Sequence, residues 1–269
     1  MRIEHKNCLQ TYLGDLLERM NVKARVEGKP SSGLTVPQPV QSLMRHELIL
    51  CLMLELFDKS LTRFEKSLNV KKEDIDYGAY SDAISFLDAI YLFSRILLDS
   101  AAGVVRHYYN CNNRGQELDK SFNNLYKKSV KEELPNNLNK VFSECETWFP
   151  QLRKRRNDIV HHYETNFIGI RRNTNGETAA LQISHRENTH ALSDEVLRSD
   201  LRSYIGMVMA GYQRFIDGLL DYWDEMFIRW YSISVFRHST HLMGRRANIL
   251  WWAYQYGEYR NDNMVVSES

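Results

Sequence analysis

The sequence contains few cysteines, prolines or glycines. There are 5 prolines, 13 glycines and 4 cysteines in 269 residues, which excludes collagen-like and broadly disordered chains. The cysteines Cys8, Cys51, Cys111 and Cys145 share no paired spacing, so zinc knuckles and CxxC redox motifs are excluded as well. Four cysteines in a chain of this length are too sparse for a disulfide framework, and reduced thiols are expected.

Long apolar runs are also absent. No stretch of about 18 apolar residues occurs, so no membrane span is expected. The first ten residues, MRIEHKNCLQ, lack the apolar core of a signal peptide. We therefore expect a cytoplasmic protein with no membrane partner. The formal net charge of +1 gives no whole-chain argument for nucleic acid, so any such argument must rest on local clusters.

Most of the chain shows the apolar spacing of amphipathic helices, with hydrophobic residues at steps of three and four. A first helix is predicted near residues 8–20, and a loop rich in proline, glycine and serine follows over residues 27–41. Two long helices are predicted over residues 42–68 and 81–109. The second is apolar on nearly all sides, as expected of a helix at the centre of a bundle.

Shorter elements follow the long pair. One helix is predicted around residues 118–126, and another segment begins at Pro135. Pro150 suits the first turn of a further helix, because a proline there loses no hydrogen bond. After that helix, Asn175-Gly176 separates two short β-prone runs, which predicts a hairpin over residues 165–188.

The C-terminal part is predicted to be helical again. Apolar residues continue for about ten turns over residues 193–230. A last helix is predicted over residues 249–256, and residues 261–269 are expected to fray. The fold class is therefore all-α, a helical bundle with a small β-hairpin insertion and a long C-terminal helix. The predicted parts are an N-terminal helix and loop (1–41), a helical core (42–163), the hairpin insertion (164–192), and the long helix with a C-terminal helix packed on the core (193–269).

One stretch combines groups that suit phosphate chemistry. Residues 153–162 read RKRRNDIVHH. On a helix, Asn157 and His161 are four residues apart and share a face, and Arg156 lies about 100° round from Asn157. A long guanidinium can lean across that gap. The stretch therefore brings together a permanent cation, an amide and an imidazole.

This stretch resembles the signature of the HEPN superfamily of helical bundles, in which an Arg precedes a polar residue and, within about two turns, a His. Arg156, Asn157 and His161 fit that pattern with four residues between the Arg and the His. Outside this cluster, no Arg in the chain has a His at that spacing. The resemblance covers roughly residues 42–163 and implies a HEPN-like core.

The resemblance implies metal-independent cleavage of RNA, in which a ribose 2′-OH attacks the neighbouring phosphorus and leaves a cyclic phosphate and a 5′-OH. His161 would be the acid/base, Arg156 would hold the phosphate through two parallel hydrogen bonds, and Asn157 would orient the imidazole or the phosphate. The neighbouring residues that would attract the RNA backbone are Arg153, Lys154, Arg155 and His162. It also implies a homodimer with a shared cleft, no cofactor and no metal. A toxin or antiphage-defence setting is implied, with an antitoxin or a nucleotidyltransferase as a further partner.

Other interpretations of the same residues stay open. A basic run on a helix is often a solvated face. Arg156 and His161 could instead join Asp158 in a buried polar network, and His162 competes with His161. The alternative function is a non-catalytic helical interaction module or a nucleotide-binding HEPN module.

Three further groups are weaker candidates. Arg106-His107 lacks the motif's spacing but could line the same cleft if its helix lies beside the motif helix. The second group consists of histidines that could bind a metal, but no signature such as HExxH supports a metal site there. These are His185, His190, His238 and His241. A packed C-terminal helix is preferred to a single-strand binding surface for the cations and aromatics Arg245, Arg246, Trp251, Trp252 and Tyr254.

Overall fold

The computed structural model describes residues 2–5, 38–68, 75–112, 117–161, 167–172, 178–184, 201–228, 252–253, 256–257 and 264–267. Six α-helices within these ranges pack into a bundle, which confirms the all-α class. They are α1 (Gln38–Ser67), α2 (Tyr77–Asn112), α3 (Phe122–Val130), α4 (Asn136–Ser143), α5 (Phe149–His161) and α6 (Leu201–Ile228). A 3-10 turn at Glu144–Thr147 joins α4 to α5. The predicted helix near residues 8–20 lies outside the described residues.

The long helices α1 and α2 pack against each other as an antiparallel pair. Leucine and phenylalanine side chains recur every three or four residues on the buried face of α1. Near the connection between the helices, Arg63 pairs with Asp76 at 2.9 Å. About five turns away along α1, His46 contacts the hydroxyl of Ser100 on α2 at 2.7 Å. The two contacts fix the register of the pair.

Helix α2 begins four residues earlier than the sequence predicts. The carboxylate of Asp76 accepts a hydrogen bond from the backbone N–H of Ala79 at 2.8 Å, so it acts as the N-cap. That hydrogen bond and the Arg63 side chain lower the pKa of Asp76. The predicted start near residue 81 was wrong, because the aspartate cap and not the first apolar residue sets the boundary.

Helix α6 contacts the rest of the bundle through an ion pair and through a close approach at a glycine. Arg202 donates two hydrogen bonds to the carboxylate of Glu65 on α1, at 2.5 and 2.6 Å. Gly211 lies directly against the indole of Trp148, which precedes α5. The predicted long helix over residues 193–230 is observed as Leu201–Ile228, and its remaining residues are outside the described part of the chain.

The Gly211 contact predicts a stability loss that can be measured. A Cβ at Gly211 would lie 2.5 Å from two carbons of the Trp148 ring, closer than van der Waals contact allows. Gly211→Ala should therefore destabilise the protein by about 1–3 kcal/mol in urea unfolding, because a rigid buried ring has to move. Gly103→Ala is the matched control. Among the residues that the structure describes, its Cβ would meet only Pro39 Cβ at 3.9 Å, so replacing a mid-helix glycine should stabilise the protein by about 0.5–1 kcal/mol. Equal effects of the two substitutions would contradict the packing argument.

Two antiparallel strand pairs accompany the helices. In the region where the hairpin is predicted, β2 (Phe167–Arg172) pairs with β3 (Thr178–Ser184), with a register shift at Arg171 and Arg172. The Asn175-Gly176 turn lies outside the described residues. At the two ends of the chain, β1 (Arg2–His5) pairs with β4 (Met264–Ser267). The expected fraying of residues 261–269 was therefore wrong for Met264–Ser267, because the opposite terminus supplies a partner strand.

None of the helices that the structure describes is long and apolar enough to cross a membrane.

Candidate active site

Helix α5 presents two different faces. Leu152, Arg155 and Asp158 point into the bundle and are buried. Arg156 and Asn157 are half-buried, and His161, the last residue of the helix, is exposed. The three residues that carry the HEPN-like pattern thus lie together on the side of α5 that solvent can reach.

Arg156 contacts both of its predicted companions. Its Nη1 donates to Oδ1 of Asn157 at 3.1 Å and lies 3.4 Å from Nε2 of His161. A guanidinium can only donate, so a hydrogen bond in the second contact requires Nε2 to accept. In this arrangement the amide holds the guanidinium, and the guanidinium lies beside the imidazole nitrogen that would exchange a proton.

Beneath this face lies a cation that sequence reasoning missed, Arg95 on α2. Its guanidinium carbon is 5.3 Å from the centroid of the Phe149 ring and 6.0 Å from that of Phe122. Nη2 pairs with Asp99 at 3.2 Å, and the side chain is only 13% exposed. Burial lowers the pKa of Arg95, Asp99 raises it, and the like charges of Arg156 and Arg153 lower it again. Arg95 is therefore a further cation at the site, in addition to Arg156 and Arg153.

Arg153 extends the basic face one turn towards the start of α5. Its Nη1 donates to Oδ1 of Asn123, in the first turn of α3, at 2.7 Å. Lys154 points elsewhere, since its ammonium lies 3.8 Å from the carboxylate of the buried Asp158. Of the residues predicted to attract the RNA backbone, Arg153 thus lies on the side of Arg156, and His162 is outside the described residues.

Arg155 is placed differently from the prediction. It is only 4% exposed, and its charge acts on the buried hydroxyl groups of Tyr91 and Tyr204. Burial raises the pKa of Tyr204 to about 12. Because four consecutive helical residues spread over most of the circumference, one of the four basic residues has to face inwards. Arg155 is therefore buried in the bundle and does not lie on the exposed face of α5.

No family model, no curated protein and no solved structure matches this chain. The HEPN resemblance therefore rests on the sequence pattern of Arg156, Asn157 and His161 alone.

The other candidates from the sequence are described only in part. Arg106 pairs with Glu117 at 3.3 Å, and burial lowers the pKa of His107. Trp252 is 1% exposed and lies 6.0 Å from Phe57, ring to ring, which agrees with the packed C-terminal helix. Among the described residues, no three His, Cys, Asp or Glu side chains are grouped as metal ligands. The histidines considered for a metal site, His185, His190, His238 and His241, all lie outside those residues.

Proposed function

We propose that this protein is a metal-independent endoribonuclease with a HEPN-like helical core. The observation that carries the proposal is the contact of the Arg156 guanidinium with both Asn157 and His161 on a face of α5 that solvent can reach. A buried polar network without access to solvent would indicate a structural role only. An open guanidinium and imidazole pair can bind a phosphodiester and move its protons.

Each side chain has a distinct part in the proposed reaction. His161 takes the proton from the ribose 2′-OH, whose oxygen then bonds to the adjacent phosphorus. The bond from phosphorus to the 5′-oxygen breaks, and that oxygen leaves with a proton as a 5′-OH. Arg156 stabilises the charge that builds on the phosphorane oxygens, and Asn157 keeps the guanidinium in place.

A homodimer with a shared cleft is part of the proposal. One imidazole cannot take the first proton and give the second in the same instant, and a second copy of α5 would bring another His161 to the phosphate. RNA is accordingly the proposed substrate, and a second copy of the chain is the proposed partner. A toxin or defence role, with an antitoxin or nucleotidyltransferase partner, stays part of the proposal through the HEPN resemblance alone.

The chemistry of the products tests the function. Purified protein incubated with RNA in excess EDTA should yield fragments with a cyclic phosphate and a 5′-OH, the latter detected by direct labelling with polynucleotide kinase. A 2′-O-methyl version of the same RNA should stay intact, because it lacks the nucleophile. Cleavage that stops in EDTA, or cleavage of the 2′-O-methyl RNA, would contradict this mechanism. No cleavage of any RNA tested would favour the non-catalytic interaction module or nucleotide-binding module.

A further inference from the structure

Three guanidinium groups from two helices lie around the start of α3 and the middle of α5. Arg153 donates to Asn123, and Arg95 lies over the ring of the preceding residue, Phe122. Arg156 is one helical turn further along α5 than Arg153. Arg153 and Arg156 come from α5 and Arg95 comes from α2, and the charges of Arg153 and Arg156 both act on Arg95. We call these three residues the guanidinium cluster. Like charges that approach in a partly buried position repel each other, so the cluster needs compensating negative charge.

The protein supplies only part of that compensation. Asp99 pairs with Arg95, but it is 44% exposed and also accepts a hydrogen bond from the backbone N–H of Phe122 at 3.0 Å. Among the described residues, Arg153 and Arg156 have no carboxylate within ion-pair distance, and both donate to neutral amide oxygens instead. Nη1 of Arg95 is buried and finds no hydrogen-bond acceptor there either. Within the described part of the chain, these three cations therefore share the single carboxylate of Asp99.

The beginning of α3 adds to the same positive region. Phe122 and Asn123 are its first residues, and they contact Asp99 and Arg153 respectively. The N-cap, Ser121, makes no side-chain capping hydrogen bond. The positive end of the α3 dipole therefore faces Asp99, the carboxylate that pairs with Arg95, and adds to the positive charge around it.

We propose that the guanidinium cluster, together with the start of α3, binds the RNA phosphate next to the one on which His161 acts. Arg153 makes the direct contact, Arg156 lies between the two phosphates, and Arg95 is the buried cation that strengthens the field. Arg153 and Arg156 are one helical turn apart, which separates the two phosphate positions along α5. This inference rests on the proposed function for the identity of the ligand.

Binding to an RNA that cannot be cleaved tests the inference separately from catalysis. The probe is a 5′-fluorescein 2′-O-methyl RNA dodecamer, measured by fluorescence anisotropy over a series of KCl concentrations. The variants are Arg153→Gln and Arg95→Met, and methionine keeps an unbranched apolar side chain against Phe149. Arg63→Gln is the matched control, since Arg63 also pairs with an aspartate but lies at the connection between α1 and α2.

Each cluster variant should bind the dodecamer about tenfold more weakly at low salt, as expected for one lost charge-assisted contact. The slope of log affinity against log salt should become shallower by about 0.7 for Arg153→Gln, the value for one phosphate contact on a single strand. Arg63→Gln should behave as the wild type. Wild-type binding by both cluster variants, or equal weakening by Arg63→Gln, would overturn the inference.

A second measurement uses inorganic phosphate as the ligand of the guanidinium cluster. Inorganic phosphate should raise the Tm of the wild type above that in KCl of equal ionic strength, and Arg95→Met should show less of this rise. If Arg95→Met does not fold, Arg153→Gln decides the question through the same two assays. Should the wild type cleave RNA while both variants bind normally, the nuclease stands and the subsite falls. Should it bind the dodecamer in an Arg95- and Arg153-dependent way but cleave nothing, the phosphate site stands and the nuclease falls.

Discussion

His161→Ala should reduce the rate of RNA cleavage by about 10²- to 10⁴-fold, the usual contribution of a general acid or base. The loss should appear without a loss of stability. His161 is exposed at the last position of α5, so its removal leaves no cavity in the bundle. Single-turnover cleavage of one defined RNA, together with urea unfolding of the same preparation, measures both quantities.

His162→Ala is the matched control for this prediction, because the same side chain is removed one position away. At saturating RNA its single-turnover rate should be close to that of the wild type, because a residue that only attracts the RNA backbone changes the affinity and not the chemical step. If His162→Ala were the inactive variant, the motif would run from Arg156 to His162 and the geometry described for His161 would be irrelevant. Wild-type rates in both variants would point to a contaminating nuclease or to another site.

The helices could be predicted from the sequence because their apolar repeat is a local property. The steps of three and four residues identify α1, α2 and α6, and Pro150 correctly marks the first turn of α5. The same arithmetic predicts that Arg156, Asn157 and His161 are neighbours, since spacing along one helix requires no knowledge of tertiary structure. The positions of the helices, and the neighbours along a single helix, could therefore be predicted from the 3.6-residue periodicity.

The features that were missed depend on tertiary contacts or on a closer use of that periodicity. Arg95 belongs to the site only because α2 packs against α5. A lone arginine in the apolar run YLFSRILL was the available signal, since a cation there needs a partner. The pairing of β1 with β4 joins opposite ends of the chain, which no local pattern can show. The inward direction of Arg155 could have been predicted, because four successive cations cannot all face solvent.

A cluster of buried aromatic rings lies beneath the candidate site, and Phe122 is at its centre. Phe122 is fully buried, and its centroid lies 4.7 Å from that of Phe149 on α5, 5.1 Å from Phe215 on α6 and 5.2 Å from Phe142 on α4. Arg95 on α2 lies over the same ring. Phe122 therefore connects four other helices to the start of α3, where its own backbone N–H binds Asp99.

Phe122→Ala should lower the free energy of unfolding by about 3–5 kcal/mol, the usual cost of removing a buried phenylalanine from a core. Urea unfolding measures this loss, and Tyr77→Ala is the control, because Tyr77 is 68% exposed and should change stability by no more than about 0.5 kcal/mol. The loss is a large part of the 5–15 kcal/mol typical of a folded protein. The Phe122 ring also contacts the Arg95 guanidinium, so its removal should displace Arg95. The variant should therefore lose RNA binding at temperatures where circular dichroism still shows its helices. A loss below about 1 kcal/mol, with binding intact, would mean that the site does not depend on this ring.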